Sequence, residues 1–268
     1  VNNSNNKNTT LRKVQADTHQ IVSEDKFNYV DVGEGQVLLL LHGLFGALSN
    51  FSDLIDYFKD SYRVVIPILP IYDGPKEKSS IEGLLEFISE FVSYKDLKGV
   101  IPIGNSLGGH LALKYAVHYA ENTKGMVITG SSGLFEDSLG DTYPKKSDYS
   151  YIEEKTKLTF YDPEVATKEL VDEIFEVVNN REKAIRILYI ARSAIRNNMA
   201  EDVPSIKVPS LLIWGKQDTI TPPFVAEEFH KLLPDSSLEW IDKCGHAAMM
   251  ERPQEFNKVL ERFLQTKY

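Results

Sequence analysis

Residues Val37–Leu41 read Val-Leu-Leu-Leu-Leu, a strand-length apolar run with no polar alternation. A strand with one face in water alternates. This run therefore needs cover on both faces, as in a largely parallel sheet with helices on either side. The chain repeats that theme. Further strands are predicted at 63–69, 100–104, 126–130, 210–214 and 238–241, separated by helical stretches at 50–59, 81–93, 107–119, 224–233 and 253–265. Pro253 suits a first helical turn, where its missing N–H costs nothing. Pro67 and Pro102 fall inside two strand-like runs and cannot donate to a ladder, so bulges or strand ends are expected there.

From about Ser132 to Val203 the alternation stops. Asp162-Pro163-Glu164 has the form of a helix start, with Asp as N-cap and Pro in the first turn. Leu170, Ile174 and Val178 form one apolar stripe at helical spacing, and Ala184, Leu188, Ala191 and Ile195 form a second. The expected organisation is an α/β core over 21–131 and 204–268, a helical insertion over 132–203, and a disordered tail over 1–20, whose first ten residues are mostly Asn, Thr and Ser.

Composition removes several classes of function. Hydrophobic residues make up 42% of the 268 residues and charged residues 26%, which excludes a wholly disordered or fibrous chain. Acidic residues outnumber basic ones 39 to 30, a net charge of −9, which argues against a phosphate-tracking surface and so against nucleic acid as a partner. Cys244 is the only cysteine, so no intrachain disulfide forms. The six histidines are scattered, and no Cys/His group has metal-ligand spacing, so no metal is expected. No stretch approaches the roughly 18 apolar residues of a membrane span. The expected setting is cytoplasmic and the expected partner a small-molecule substrate.

The strongest chemical signal is Gly104-Asn105-Ser106-Leu107-Gly108, followed by Gly109, between a predicted strand and a predicted helix. A serine on a sharp strand-to-helix turn is crowded by backbone on both sides. Small residues two before and two after it relieve that crowding and leave the hydroxyl projecting above the sheet. A glycine-rich turn with an ordinary helix-capping Ser is the plainer alternative.

A serine hydroxyl needs a base, and the base needs an orienting acid. Asp218 follows the strand predicted at 210–214, and His246 follows the one at 238–241, in the chain order Ser, acid, His. All three candidates fall just past strand C-termini, where open α/β sheets bind ligands. Asp218 could instead make only a turn before Pro222-Pro223. His42 rivals His246 but precedes the serine and adjoins Gly43, which suits a loop-shaping role. His110 and His118 fall inside the helix after Ser106, and no context singles out His19 or His230.

Acyl transfer also builds negative charge on a carbonyl oxygen, which calls for two preplaced N–H donors. The backbone of Leu107, next to the serine, is one candidate. Leu44, in His42-Gly43-Leu44-Phe45-Gly46, is the other, with Phe45 as an alternative donor or a pocket wall. Leu44, Phe45, Leu107, Met249 and the insertion aromatics Tyr161 and Tyr189 are candidates for a substrate-binding wall.

These residues resemble the α/β-hydrolase family from about Gln36 to the C-terminus. The resemblance rests on His42 to Gly46, Gly104 to Gly109, Gly215-Lys216-Gln217-Asp218, Gly245-His246 and the trailing Glu251-Arg252-Pro253. It implies the α/β-hydrolase fold, with a mostly parallel sheet, helices on both faces, and a helical cap at 132–203. It also implies Ser106 as nucleophile, His246 as base, Asp218 as acid, and Leu44 and Leu107 as oxyanion donors, with no cofactor. In one stretch the chain departs from the pattern. Many members carry D-x-x-G-x-G-x-S where this chain reads Pro67-Ile68-Leu69-Pro70-Ile71-Tyr72-Asp73-Gly74. Ser106 also sets it apart from the branches with Asp as nucleophile, the haloalkane dehalogenases and epoxide hydrolases.

Three functions fit this reading. The first is a serine hydrolase acting on a small ester, thioester or related acyl compound. The second is a carbon–carbon bond hydrolase with the same triad, in which Arg192 or Arg196 grips a substrate carboxylate. The third is a slow-turnover ligand sensor signalling through its cap.

Overall fold

The computed structural model describes residues 19–45, 48–135 and 147–268. Apart from His19 and Gln20, the expected tail at 1–20 lies outside the described residues, as does Gly46. Among those residues the strands are β1 (Val22–Glu24), β2 (Phe27–Val32), β3 (Val37–Leu41), β4 (Arg63–Pro67), β5 (Ile101–Asn105), β6 (Met126–Thr129), β7 (Ser210–Gly215) and β8 (Ser236–Ile241). They form one sheet in the order β1-β2-β4-β3-β5-β6-β7-β8. β1 and β2 run antiparallel to their neighbours, and the pairings from β4 through β8 are parallel.

The apolar run at β3 does what its lack of alternation predicts. Leu38 to Leu41 are all fully buried. Leu39 and Leu41 join one apolar cluster, with residues of α2 (Ile81–Tyr94), α3 (Leu107–His118) and α7 (Pro223–Leu232). Leu38 and Leu40 join the cluster on the other face, with α1 (Ser52–Phe58), α8 (Ala248–Glu251) and α9 (Pro253–Lys267). Each buried Leu contributes about 1.5–3 kcal/mol, so this strand anchors both layers at once.

Both prolines are paired on one side, Pro67 with Tyr29 of β2 and Pro102 with Leu39 of β3, and on the other side each stands where a ladder ends or steps. Pro67 ends β4, beyond the last pairing with β3 at Leu39 and Val65. Pro102 lies where the register towards β6 steps. Val100 bridges to Thr123 while Ile103 pairs with Val127, which puts an extra residue on the β6 side.

The hairpin of β1 and β2 was not among the predicted strands. Its turn places Asp25 at φ 52, and β2 reads Phe-Asn-Tyr-Val-Asp-Val with both Tyr29 and Val30 buried. The expected period of two is therefore broken.

Between β6 and β7 lie α4 (Tyr149–Lys157), α5 (Lys168–Asn179) and α6 (Arg181–Arg196). α4 is not among the predicted helices, and its charged stretch buries only Ile152 and Thr156. Asp162 caps a 3-10 turn at Pro163–Val165, and α5 begins later, capped by Thr167 on Leu170 N–H at 3.3 Å. The buried face of α6 is also rotated from the expected stripe. Ile190, Ala191, Ser193 and Ala194 are buried, whereas Ile195 is 46% exposed. Polar anchors set that rotation. Ser193 Oγ accepts the Ile81 N–H that opens α2, at 3.0 Å, and Arg186 Nε donates to Gly74 O at 2.9 Å.

Candidate active site

Ser106 sits between β5 and α3 with φ 55 and ψ −120, a backbone conformation that costs a non-glycine residue energy and that the surrounding packing must enforce. The glycines around it have no room for a side chain. A Cβ on Gly104 would lie 2.1 Å from Gly108 O, and one on Gly108 would lie 1.9 Å from Leu41 O. The N–H of Leu107, the first helical residue, has no acceptor within its own helix. The Ser106 carbonyl is tied down by Ser132 N–H at 3.2 Å and Ser132 Oγ at 3.3 Å.

Asp218 and His246, 28 residues apart in sequence, meet in the loops after β7 and β8. His246 Nδ1 donates to Asp218 Oδ2 at 3.0 Å, with Oδ1 at 3.2 Å. Both residues are buried. The turn proposed for Asp218 from sequence is also present, because one carboxylate serves both purposes. Its Oδ1 accepts from Ile220 N–H at 2.8 Å and Thr221 N–H at 2.9 Å, while Oδ2 accepts from Thr221 Oγ1 at 2.8 Å and from the imidazole. Thr221, absent from the sequence candidates, thus locks the Asp218 carboxylate; its spacing from Asp218 is the turn signal that could have found it. With Nδ1 occupied as a donor, Nε2 is left as the acceptor of the imidazole.

The serine and the histidine are joined through their neighbours. Asn105 Nδ2 donates to Thr129 O at 3.0 Å and to His246 O at 3.1 Å. Gly130, with φ 50, has room only for hydrogen, since a Cβ there would stand 2.9 Å from His246 Nδ1.

Two other histidines, His42 and His110, are buried. His42 is buried, Leu69 N–H donates to its Nε2 at 3.0 Å, and its Nδ1 lies 2.9 Å from Gly43 O. Because Nε2 accepts, the proton belongs on Nδ1, and burial holds the ring below its ordinary pKa in this neutral form. The Gly43 carbonyl shares a peptide plane with the N–H of Leu44, so His42 fixes the direction of that N–H. His110 is fully buried in α3, and burial lowers its pKa to about 4. Cys244, two residues before His246, is buried with its thiol pKa pushed up, which keeps it protonated and poorly nucleophilic.

The other candidates differ in their surroundings. Leu44 is partly buried against the core and Leu107 fully buried. Met249 is buried in the cluster that also holds Phe160 and Cys244. Phe45, Tyr161 and Tyr189 are exposed by 37%, 47% and 44%. Arg192 and Arg196 lie on the exposed face of α6.

Glu251 is the residue whose role the sequence least disclosed. Its Oε2 accepts Gly245 N–H at 2.6 Å and its Oε1 accepts Asp162 N–H at 2.6 Å. His246 N–H donates to Thr159 O at 2.8 Å, and Thr219 Oγ1 to Leu158 O at 3.1 Å. The residues just after α4 are thereby fastened to the loops that carry Asp218 and His246. Glu251→Gln keeps one acceptor and turns an NH2 towards the other N–H, leaving a buried donor unpaired at a cost of about 1–3 kcal/mol. The expected result is a melting temperature lower by roughly 3–8 °C, read by thermal denaturation, with a parallel fall in kcat.

Comparison with known proteins agrees with the fold and the motifs. The sequence profile of the Alpha/beta hydrolase family matches residues 38–259. The chain belongs to the alpha/beta hydrolase family, and it is a hydrolase of that fold. It is 44% identical to an alpha/beta hydrolase enzyme from the metagenome of sediments from the lagoon of Mar Chica, Morocco, whose crystal structure superposes with a TM-score of 0.77 over 92% of this chain and 98% of that one. It is 26% identical to monoacylglycerol lipase ABHD6 of Bos taurus, over 87% of this chain and 76% of that protein. A Pseudomonas 2-hydroxy-6-oxononadienedioate/2-hydroxy-6-oxononatrienedioate hydrolase is 28% identical, over 87% of this chain and 90% of that protein.

Proposed function

We propose that the protein is a serine hydrolase that cleaves a small ester, thioester or related acyl substrate without a cofactor. Ser106 attacks the acyl carbon, and His246 Nε2 takes its proton and later activates water to release the acyl group. Asp218 holds the imidazole in the required tautomer and stabilises the imidazolium. The N–H groups of Leu44 and Leu107 receive the oxyanion. The observation that carries this reading is the 3.0 Å bond from His246 Nδ1 to a buried Asp218, together with a serine held on a strained strand-to-helix turn whose neighbour Asn105 bonds the His246 carbonyl.

The surroundings favour acyl transfer over carbon–carbon cleavage. The second reaction needs a cation gripping a substrate carboxylate, and Arg192 and Arg196, its candidates, stand on the solvent face of α6.

The test is labelling by a fluorophosphonate, followed by turnover of a chain-length panel of aryl esters against vinylogous diketone acids. Preference for esters with rapid multiple turnover is expected. Faster cleavage of the diketone acids would move the assignment to the carbon–carbon hydrolases, and very slow turnover with ligand-dependent partner capture would move it to a sensor.

A further inference from the structure

The loop after β4, where the glycine-rich stretch of many family members is replaced, touches the His42–Leu44 turn twice. Leu69 N–H donates to His42 Nε2 at 3.0 Å, and the Tyr72 hydroxyl donates to the Leu44 carbonyl. The same loop is held from outside by α6. Arg186 Nε donates to Gly74 O at 2.9 Å, and Lys183 Nζ stands 5.7 Å from the centre of the Tyr72 ring. Gly74 N–H closes the turn on Pro70 O at 3.2 Å, and a Cβ on Gly74 would fall 2.7 Å from that oxygen, so the turn has little freedom to shift.

We infer that Tyr72 is a positioning residue for the oxyanion hole, acting through the backbone of Leu44. This rests on the reading in which Leu44 N–H receives the oxyanion. That N–H belongs to the Gly43–Leu44 peptide, which His42 Nδ1 pins through Gly43 O. Tyr72 pins the following peptide, whose N–H is that of Phe45, through Leu44 O, so Leu44 is held from both sides and the turn cannot swing its N–H away by shifting at the far end. Burial raises the Tyr72 pKa, so its hydroxyl remains a donor across the working pH range. A preplaced donor stabilises charge only if it does not have to reorient when the charge appears, and the Tyr72 bond supplies that restraint.

The test is Tyr72→Phe, which removes the hydroxyl and keeps the ring, with Tyr57→Phe, an exposed tyrosine bonded to Glu261 at 3.0 Å, as control. The expected result is a kcat lower by about 10- to 30-fold with KM within about threefold, since a misaligned donor loses part of the 10²–10³ that a deleted one loses. Inhibition by an aryl trifluoromethyl ketone, whose oxygen becomes an anion when Ser106 adds to it, should weaken in the same proportion. A purely structural role would lower the folded fraction and leave the inhibition constant unchanged. If wild type is labelled by fluorophosphonate while Tyr72→Phe keeps its kcat and inhibition constant, the role of Tyr72 is overturned and the serine-hydrolase reading stands. If wild type is neither labelled nor inhibited, both fall. Should Tyr72→Phe fail to fold, Arg186→Met, which frees the Gly74 end of the loop, must give a paired loss of about two- to fivefold; no change there overturns the inference.

Discussion

Ser106→Ala is expected to lower kcat by roughly four to six orders of magnitude and to abolish fluorophosphonate labelling, while the protein melts within a few degrees of wild type. The hydroxyl is the only atom removed. The strained backbone at φ 55 is imposed by neighbours that the substitution leaves in place, namely the glycine packing on either side and the bonds to the Ser106 carbonyl from Ser132. Residual activity of about 10³ over the uncatalysed rate should persist, because the N–H donors and the substrate pocket remain. Single-turnover kinetics on a chromogenic ester, with circular dichroism on the same sample, checks both parts. A folded Ser106→Ala protein that turns over at the wild-type rate would remove Ser106 from the mechanism.

Asp218→Asn should cost about 10³- to 10⁴-fold in kcat with KM little changed. The neighbours of Asp218 decide which way the new amide points. Ile220 and Thr221 both present backbone N–H groups to Oδ1, so the amide oxygen must stay there and the NH2 must take the place of Oδ2. It then faces His246 Nδ1 as a donor, where the carboxylate accepted at 3.0 Å. The imidazole is driven to carry its proton on Nε2, and it can no longer receive one from Ser106. Nitrogen NMR of the imidazole should report the change of tautomer alongside the kinetics. Wild-type kcat in a folded Asp218→Asn enzyme would assign the orienting role to another group.

Local patterns exposed much of the fold. A continuous apolar run cannot face water on either side, and Leu38 to Leu41 divide alternately between two helical layers as that requires. The hairpin of β1 and β2 escaped because Tyr29 and Val30 are both buried, which spoils the simple alternation. The inward face of α6 was misjudged for a related reason. Counting apolar spacing overlooks Arg186 and Ser193, whose bonds to Gly74 and Ile81 turn the helix about its axis.

The candidate site divides in the same way. Serine, aspartate and histidine announce themselves because each sits at a strand end with a recognisable turn, and glycine spacing follows from steric needs that any chain must obey. Thr221 is legible only as part of the Asp218 turn, whereas nothing local shows what Glu251 and Tyr72 do, because that depends on partners 89 and 28 positions away.

The amino-acid order alone determined the layered architecture, the strained serine turn and the placing of the candidate serine, aspartate and histidine at strand ends, because these follow from periodicity and from where a side chain can fit. Only the tertiary structure decided which tautomers His42 and His246 hold, which carboxylate ties the Asp162 turn to the Gly245-His246 loop and which hydroxyl steadies the Leu44–Phe45 peptide. Those choices are hydrogen bonds between distant segments, and a hydrogen bond has a direction that no spacing along a chain records.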